Sequence, residues 1–484
     1  MSYLGLDLGT SGLRALLVDA DGQPIGATER DYPLSHPHAG WSEQDPADWI
    51  AALDSAVDEL RATYPQFADL RGVGVAGQMH GATLLDANDT VLRPCILWND
   101  SRSHAEAAAL DRTEKVRDLS GNIVFPGFTA PKLEWVRTHE PEIFNRIAKV
   151  LLPAAYLNLY LTGDHVADMS DSAGTSWLDV GQRTWSDDLL ALGHMRRDQM
   201  PRLVEGTEAA GTLRPALAQR WGLSHPVTVA GGAGDNAAAA CGIGALNEGQ
   251  GFVSLGTSGV LLAARDGYAP APETAVHTFC HAVPGRWYQM GVMLSATASL
   301  NWFSRITGCK PADLTAELGP DLHRPGPVRF LPYLSGERTP HNDSTARGLF
   351  SGLGSGTGRT DMTRAILEGV AFGLRDSFEA LRATHASLDE LIAIGGGTRS
   401  PYWLRLIATV LDTPLRLPES SEFGAALGAA RLAMVATGHG DEESVMTPPH
   451  LSAPILPVPE ARAAFDEAYD SFRQAYPWQA SRPA

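Results

Sequence analysis

The pentapeptide Leu8-Gly9-Thr10-Ser11-Gly12 recurs unchanged as Leu255-Gly256-Thr257-Ser258-Gly259, 247 residues further along a chain of 484. Apolar runs flank both copies: Tyr3 to Leu8 and Leu13 to Val18 around the first, Gly251 to Leu255 and Val260 to Ala264 around the second. Each reads as strand, glycine turn, strand, the pattern of a β-hairpin. Five matching residues alone arise by chance in a glycine-rich chain. Matched flanks at half-chain spacing are better read as duplication. Backbone N–H groups in a tight glycine turn converge into an anion nest, and Thr and Ser hydroxyls add donors. Gly9, Thr10 and Ser11, with Gly256, Thr257, Ser258 and Gly259, are therefore candidate ligands for a polyphosphate clamped from two sides.

Elsewhere strands alternate with helices, which argues for α/β domains. Arg71 to Ala76, Val227 to Ala230 and Leu391 to Ile394 read as strands; Pro46 to Leu60, Met362 to Leu381 and Tyr402 to Leu411 read as helices. The polar, Gly-rich stretch from Ala245 to Gly251 sets the boundary, giving units 1–247 and 248–484. Gly438 to Pro449 reads as a linker and Glu460 to Tyr476 as a terminal helix.

The net charge of −18 repels phosphate backbones and anionic lipid, so neither nucleic acid nor a membrane is an expected partner. No run of 18 apolar residues and no basic leader are visible. Four cysteines without a Cys-x-x-Cys pair imply a reducing compartment, the cytoplasm. No Gly-Lys dipeptide exists, hence no Walker A loop, and Gly72 to Gly77 spells G-x-G-x-x-G inside a strand pattern rather than at a helix start. His277-Thr-Phe-Cys280-His281 lacks a nearby fourth ligand and reads as structural.

Asp235 follows a strand and the glycines of Ala230-Gly-Gly-Ala-Gly, and precedes an alanine run that opens a helix. Its place at a helix N-terminus favours the ionised carboxylate, which could take a proton from a substrate hydroxyl. A plain N-cap is the alternative. Asp7, just before the first turn, is placed to meet phosphates or their Mg²⁺, or else to cap its own turn. Gly77-Gln78-Met79-His80-Gly81 ends a strand, and Trp98-Asn99-Asp100-Ser101-Arg102 offers an aromatic platform with hydrogen-bonding groups; both suit a sugar site, with His80 as a core histidine the alternative. Gly395, Gly396 and Gly397 form a second strand–glycine–helix junction, a nucleotide approach or an ordinary turn.

Taken together, these residues resemble the FGGY carbohydrate kinases of the actin-like ATPase superfamily. Gly127-Phe-Thr-Ala-Pro-Lys132-Leu-Glu-Trp135 fits one family signature; Gly348 to Leu353 followed by Asp361 to Glu368 fits the other. The resemblance runs from residue 3 to about 435. It implies an α/β fold of two duplicated actin-like (ribonuclease-H-like) ATPase domains around a central cleft, the first lobe holding sugar and the second holding nucleotide. It further implies Asp235 as catalytic base and Asp7 as organiser of Mg²⁺ through water. Met79, His80, Trp98 and Asn236 would bind sugar, and the two turns with Gly395 to Gly397 would bind ATP. Trp41 to Pro46, Gly77 to Gly81, Trp98 to Asp100 and Tyr333 to Asn342 resemble the branch that phosphorylates D-xylulose; ribulose, L-xylulose, glycerol and gluconate stay open as substrates, as does a non-catalytic sugar sensor. The family suggests a homodimer. Ser421-Glu-Phe-Gly424 departs from many relatives, leaving adenosine contacts there open.

Overall fold

The computed structural model describes residues 1–419 and 424–480; the stretch from Ser421 to Phe423 lies outside them. Two mixed sheets organise the chain. In the first, Ser2–Leu8 pairs antiparallel with its hairpin partner Gly12–Asp19, which pairs antiparallel with Pro24–Asp31. On its other edge Ser2–Leu8 runs parallel to Leu70–Gly77, which in turn runs parallel to Thr228–Ala230. The second sheet repeats this order. Gly251–Leu255 is antiparallel to Gly259–Arg265, which pairs antiparallel with Trp287–Met293. It is parallel to Leu391–Ile394, followed by Leu415–Arg416. The duplication read from ten residues is thus a duplication of five-strand topology. Additional edges are Ala209–Thr212 on the first sheet and His277–Cys280 on the second.

Side chains on a strand alternate between faces. Leu4, Leu6 and Leu8 join the core under the helix Pro46–Thr63, whose stripe of Trp49, Leu53, Val57 and Leu60 is buried. Asp45 caps that helix through the Ala47 N–H at 2.9 Å, and Pro46 fits its first turn. Tyr3, Gly5 and Asp7 share the opposite face, where the helix Ala425–Ala436 lies. A Cβ on Gly5 would come within 1.8 Å of the Ala426 carbonyl oxygen, one on Gly74 within 1.9 Å of Ala429's, and one on Gly428 within 1.8 Å of Ala238's. This helix from the second half therefore sits directly on the first sheet and against the helix Asp235–Ile243. The break at residue 247 separates the sheets, not every helix.

Arg359–Ala383 and Pro401–Leu411 cover the second sheet, with Phe372, Leu406 and Ile407 in its core. The terminal helix Pro459–Ala480 adds Phe465, Tyr469 and Phe472, and Asp466 accepts from Arg375 at 2.6 Å. The expected linker after Gly438 contains a helical turn, Glu442–Val445, because the Asp441 carboxylate caps it through the Ser444 N–H at 2.9 Å.

Candidate active site

The two glycine turns are anchored alike. In the first, the Gly9 carbonyl accepts from the Tyr32 hydroxyl and from Gln78 Nε2 at 3.4 Å, and the Thr10 carbonyl accepts from Gln44 Nε2 at 2.6 Å. Across a trans peptide the next N–H points opposite to the carbonyl. The amides of Thr10 and Ser11 are therefore turned away from these anchors. In the second turn, the Gly256 carbonyl accepts from Thr297 N at 3.0 Å and Thr297 Oγ1 at 2.7 Å; the Thr257 carbonyl accepts from Ala296 N at 2.9 Å. That turns the amides of Thr257 and Ser258 outward. The corresponding carbonyls are tied in both copies, by unrelated partners. Gly395, at φ 92°, and Gly397 press against the strand leading into the second turn; a Cβ on either would lie 2.8 Å from Leu255 atoms. Gly396 is exposed beside them.

On the first sheet, Leu8, Gly77 and Gly234 form one row across three strand ends. Asp7 precedes this row and Asp235 follows it, so both acids stand at the same sheet edge. Asp235 opens the helix Asp235–Ile243, with Gly234 as its cap residue. Its Oδ1 accepts from Asn236 N at 2.7 Å and Asn236 Nδ2 at 2.9 Å. Among the described residues nothing donates to Oδ2. Burial raises its pKa to about 6, against the opposing pull of the Asn236 donors. The helix dipole favours ionisation, as the sequence suggested, but desolvation outweighs it. Asp7 is pushed up to about 7 by burial and then by the Asp235 charge, with Arg14 opposing.

Met79 lies against Gly234, and the Tyr288 hydroxyl of the second sheet donates to its Sδ at 3.7 Å. His80 takes a left-handed backbone at φ 69°. Its ring stacks on Phe128 at 4.6 Å, and Nδ1 donates to the Gly174 carbonyl at 2.8 Å, which leaves Nε2 as an acceptor. Burial, then the charge of Lys132, holds the imidazole neutral. Trp98 Nε1 donates to Thr10 Oγ1 at 2.9 Å, joining the aromatic platform to the first turn. Asp100 and Arg102, expected as free hydrogen-bonding groups, are instead paired with each other at 2.7 Å and buried, and Asp100 also accepts from Ser42 N. Arg102 also pairs with Glu43 at 2.7 Å, so of that segment Trp98, Asn99 and Ser101 keep exposed surface.

The first turn, Asp7, Met79, His80, Trp98, Asp235 and Asn236 thus gather at the first sheet. Gly256 to Gly259 and Gly395 to Gly397 gather at the second. Three residues escaped the sequence reading. Lys132, fully buried, donates to the His80 carbonyl at 2.7 Å, alongside Thr129 Oγ1 at 3.2 Å. Asp171 is buried, its carboxyl oxygens without a well-formed partner among the described residues, and burial with the charges of Asp168 and Asp235 raises its pKa well above the ordinary range against the pull of the His80 N–H. Arg338 reaches the same pocket from the second half. Lys132 lies in a quoted signature and Arg338 in a quoted motif, but only the fold brings them to His80 and Trp98.

Lys132→Met is expected to release the left-handed His80 backbone. A charge-assisted hydrogen bond carries about 1.5–3 kcal/mol, so kcat/KM for the sugar should fall roughly ten- to a hundredfold, with the KM for ATP unchanged. An unchanged sugar kcat/KM would show that Thr129 alone holds the turn.

Paired five-strand sheets, each presenting an amide-lined turn, with a partly desolvated carboxylate between them and an aromatic pocket alongside, define a two-lobed actin-like phosphotransferase. Family models describing the N-terminal and C-terminal domains of the FGGY family of carbohydrate kinases match residues 2–242 and 251–437. The chain belongs to the FGGY family of carbohydrate kinases. It is 46% identical over 479 residues to a xylulose kinase of Escherichia coli (strain K12), covering 98% of each chain. It is 48% identical over 437 residues to one of Klebsiella pneumoniae, covering 90% of each. A solved structure described as a xyloylose kinase from Brucella ovis superposes with a TM-score of 0.97 at 56% identity, covering 99% of each chain. Among the described residues no helix is long and apolar enough to cross a membrane.

Proposed function

We propose that this kinase transfers the γ-phosphoryl group of ATP to the C5 hydroxyl of D-xylulose, giving D-xylulose 5-phosphate and ADP. The reaction rests on one observation: Asp235 has one oxygen fixed by Asn236 and the other free, at a pKa of about 6. Such a carboxylate is ionised at neutral pH yet basic enough to accept a hydroxyl proton. The sugar follows from the xylulose kinases that resemble the chain over nearly its whole length.

In this reading Asp235 Oδ2 accepts the C5 hydroxyl proton while that oxygen bonds to phosphorus and the bond to ADP breaks. His80 Nε2 accepts from a sugar hydroxyl, Met79 and Trp98 form the apolar walls, and Asn236 fixes the base. The outward amides of Thr10, Ser11, Thr257 and Ser258 meet phosphate oxygens, and Gly395 to Gly397 admit the nucleotide close to the backbone. The first lobe, to residue 247, holds sugar and the second holds nucleotide. Asp7 suits Mg²⁺ held through water, a cation that takes one or two carboxylates with phosphate oxygens and water; burial and the Asp235 charge, which push Asp7 up to about 7, are what such a cation relieves. Bound there, Mg²⁺ would supply charge neutralisation on the phosphates. A cytoplasmic homodimer completes the reading, supported by the family resemblance and by free cysteines at 95, 241, 280 and 309.

ADP release coupled to NADH loss, measured with D-xylulose, L-xylulose, D-ribulose, glycerol and gluconate, tests this. D-xylulose should lead; another polyol in front would move the substrate, and silence on all five would leave a sensor. Because Asp235 must be deprotonated to act, kcat should fall as pH drops through about 6, reaching roughly a tenth of its plateau one unit lower. An acid limb near that of an ordinary carboxylate would contradict the desolvated base.

A further inference from the structure

The sugar pocket has a cationic wall supplied by the other lobe. Arg338 lies in the second half of the chain, between Arg329–Leu331 and Leu349–Ser351, which pair as a separate two-stranded sheet, yet its guanidinium carbon sits 5.9 Å from the Trp98 ring centre and 5.5 Å from that of Phe125. The backbone on either side of it is bolted down. Glu337 Oε1 accepts from Leu294 N at 2.9 Å and from Arg338 N at 2.8 Å. Thr339 N donates to the Val292 carbonyl at 3.0 Å, while Thr339 Oγ1 accepts from Val292 N at 3.1 Å and donates to the Ala275 carbonyl at 2.9 Å. Among the described residues, no carboxylate, carbonyl or hydroxyl accepts from the guanidinium itself. An arginine fixed this firmly at its backbone, with its fork of donors free over an aromatic pair, is arranged for an acceptor that arrives from outside.

Its position says which acceptor. The Phe125 ring beneath Arg338 lies 5.5 Å from the Phe128 ring that stacks on His80, and 4.8 Å from His277. Arg338 therefore stands on the His80 and Trp98 side of the pocket, and among the described residues neither Asp7 nor Asp235 pairs with it. A sugar whose C5 hydroxyl meets Asp235 directs its C1–C2 end the opposite way. The carbonyl oxygen there can only accept hydrogen bonds, and guanidinium can only donate.

Resting on the reading of the site given above, we propose that Arg338 is a substrate-binding residue that donates to the C2 carbonyl oxygen of the open-chain ketose, so that the nucleotide lobe itself selects a ketose over the corresponding polyol.

The test is steady-state kinetics and sugar dissociation constants for wild type, Arg338→Met and Arg338→Lys, with D-xylulose and its C2-reduced counterpart xylitol. Arg338→Met should raise the KM and Kd for D-xylulose roughly ten- to a hundredfold, the span of one charge-assisted hydrogen bond. Its kcat should change far less, the KM for ATP should stay constant, and the preference for D-xylulose over xylitol should shrink by a similar factor. Arg338→Lys keeps charge and stem without the fork; it should lie between, and it carries the test should the Met variant fold poorly. Normal D-xylulose turnover with an unchanged KM and an unchanged ketose preference in both variants would overturn the assignment of Arg338 alone. A wild-type enzyme that ignores D-xylulose but turns over another polyol would overturn the substrate reading, and the carbonyl contact with it.

Discussion

Asp235→Asn is expected to lower kcat by at least ~10²–10⁴, the contribution of a positioned general base, while the dissociation constant for D-xylulose moves only a few-fold. The amide keeps the shape of the carboxylate, and its carbonyl oxygen can still accept from Asn236 N and Nδ2, as Oδ1 does at 2.7 and 2.9 Å. Only proton acceptance at Oδ2 is lost. The same substitution should leave the fold at least as stable at neutral pH, and the sign follows from the shift. Asp235 has a folded pKa near 6 against an ordinary value of 3.8, so the folded state binds the proton more tightly than the unfolded chain. Stability from this group is therefore highest at low pH and is lost as pH rises through that interval. Replacing the charge with a neutral amide removes the penalty, so the melting temperature should not fall. A dead variant with an intact melting temperature and intact sugar binding would separate chemistry from folding. A variant that kept near-normal kcat would remove Asp235 from the mechanism.

Gly74→Ala is expected to be, with Gly5→Ala, among the most damaging single methyls in the chain's first half. Gly5 and Gly74 are cross-strand partners on the face beneath the helix Ala425–Ala436. The added Cβ would lie 1.9 Å from the Ala429 carbonyl oxygen, with strand backbone on one side and helix backbone on the other. No side-chain rotation relieves that contact, so the helix must lift off the sheet. Overpacking of a well-filled core costs about 1–3 kcal/mol and occasionally more; here the upper end is expected, read as a drop of roughly 5–10 °C in the main thermal transition. Because this helix joins the second half of the chain to the sheet that carries Asp7, activity should fall with it. Gly354→Ala, where the new methyl meets nothing within 4 Å, is the matched control and should be neutral. Equal stability of the two variants would mean that the helix does not sit directly on the sheet.

The contrast between these glycines explains what one sequence can and cannot reveal. The hairpin glycines were legible because turn chemistry is local: a Gly-Thr-Ser-Gly segment between apolar runs specifies its own geometry. Asp235 was legible for the same reason, as an acid behind a glycine-rich strand end. Gly5 and Gly74 read only as gaps in strands, since their cause is a helix more than half the chain away. That helix, rich in alanine, carries no amphipathic stripe to announce the face it buries. Lys132 hides similarly: a lysine inside an apolar signature cannot be assigned to the His80 carbonyl until the left-handed turn at His80 is known. Asp100 shows the opposite failure. Its neighbours suggested a sugar contact, but its carboxylate is spent on Arg102 and Ser42, a pairing that depends on how two distant segments meet. Desolvation of Asp235 is likewise tertiary, which is why the dipole argument alone pointed the wrong way.

The most direct measurement is a single turnover with γ-labelled ATP, excess enzyme and D-xylulose, followed by identification of the labelled product. Equimolar ADP and D-xylulose phosphorylated on its C5 oxygen, with formation abolished in Asp235→Asn, is the expected result. ADP formed without labelled sugar, or sugar and nucleotide both bound with no transfer, would contradict a kinase that works through Asp235.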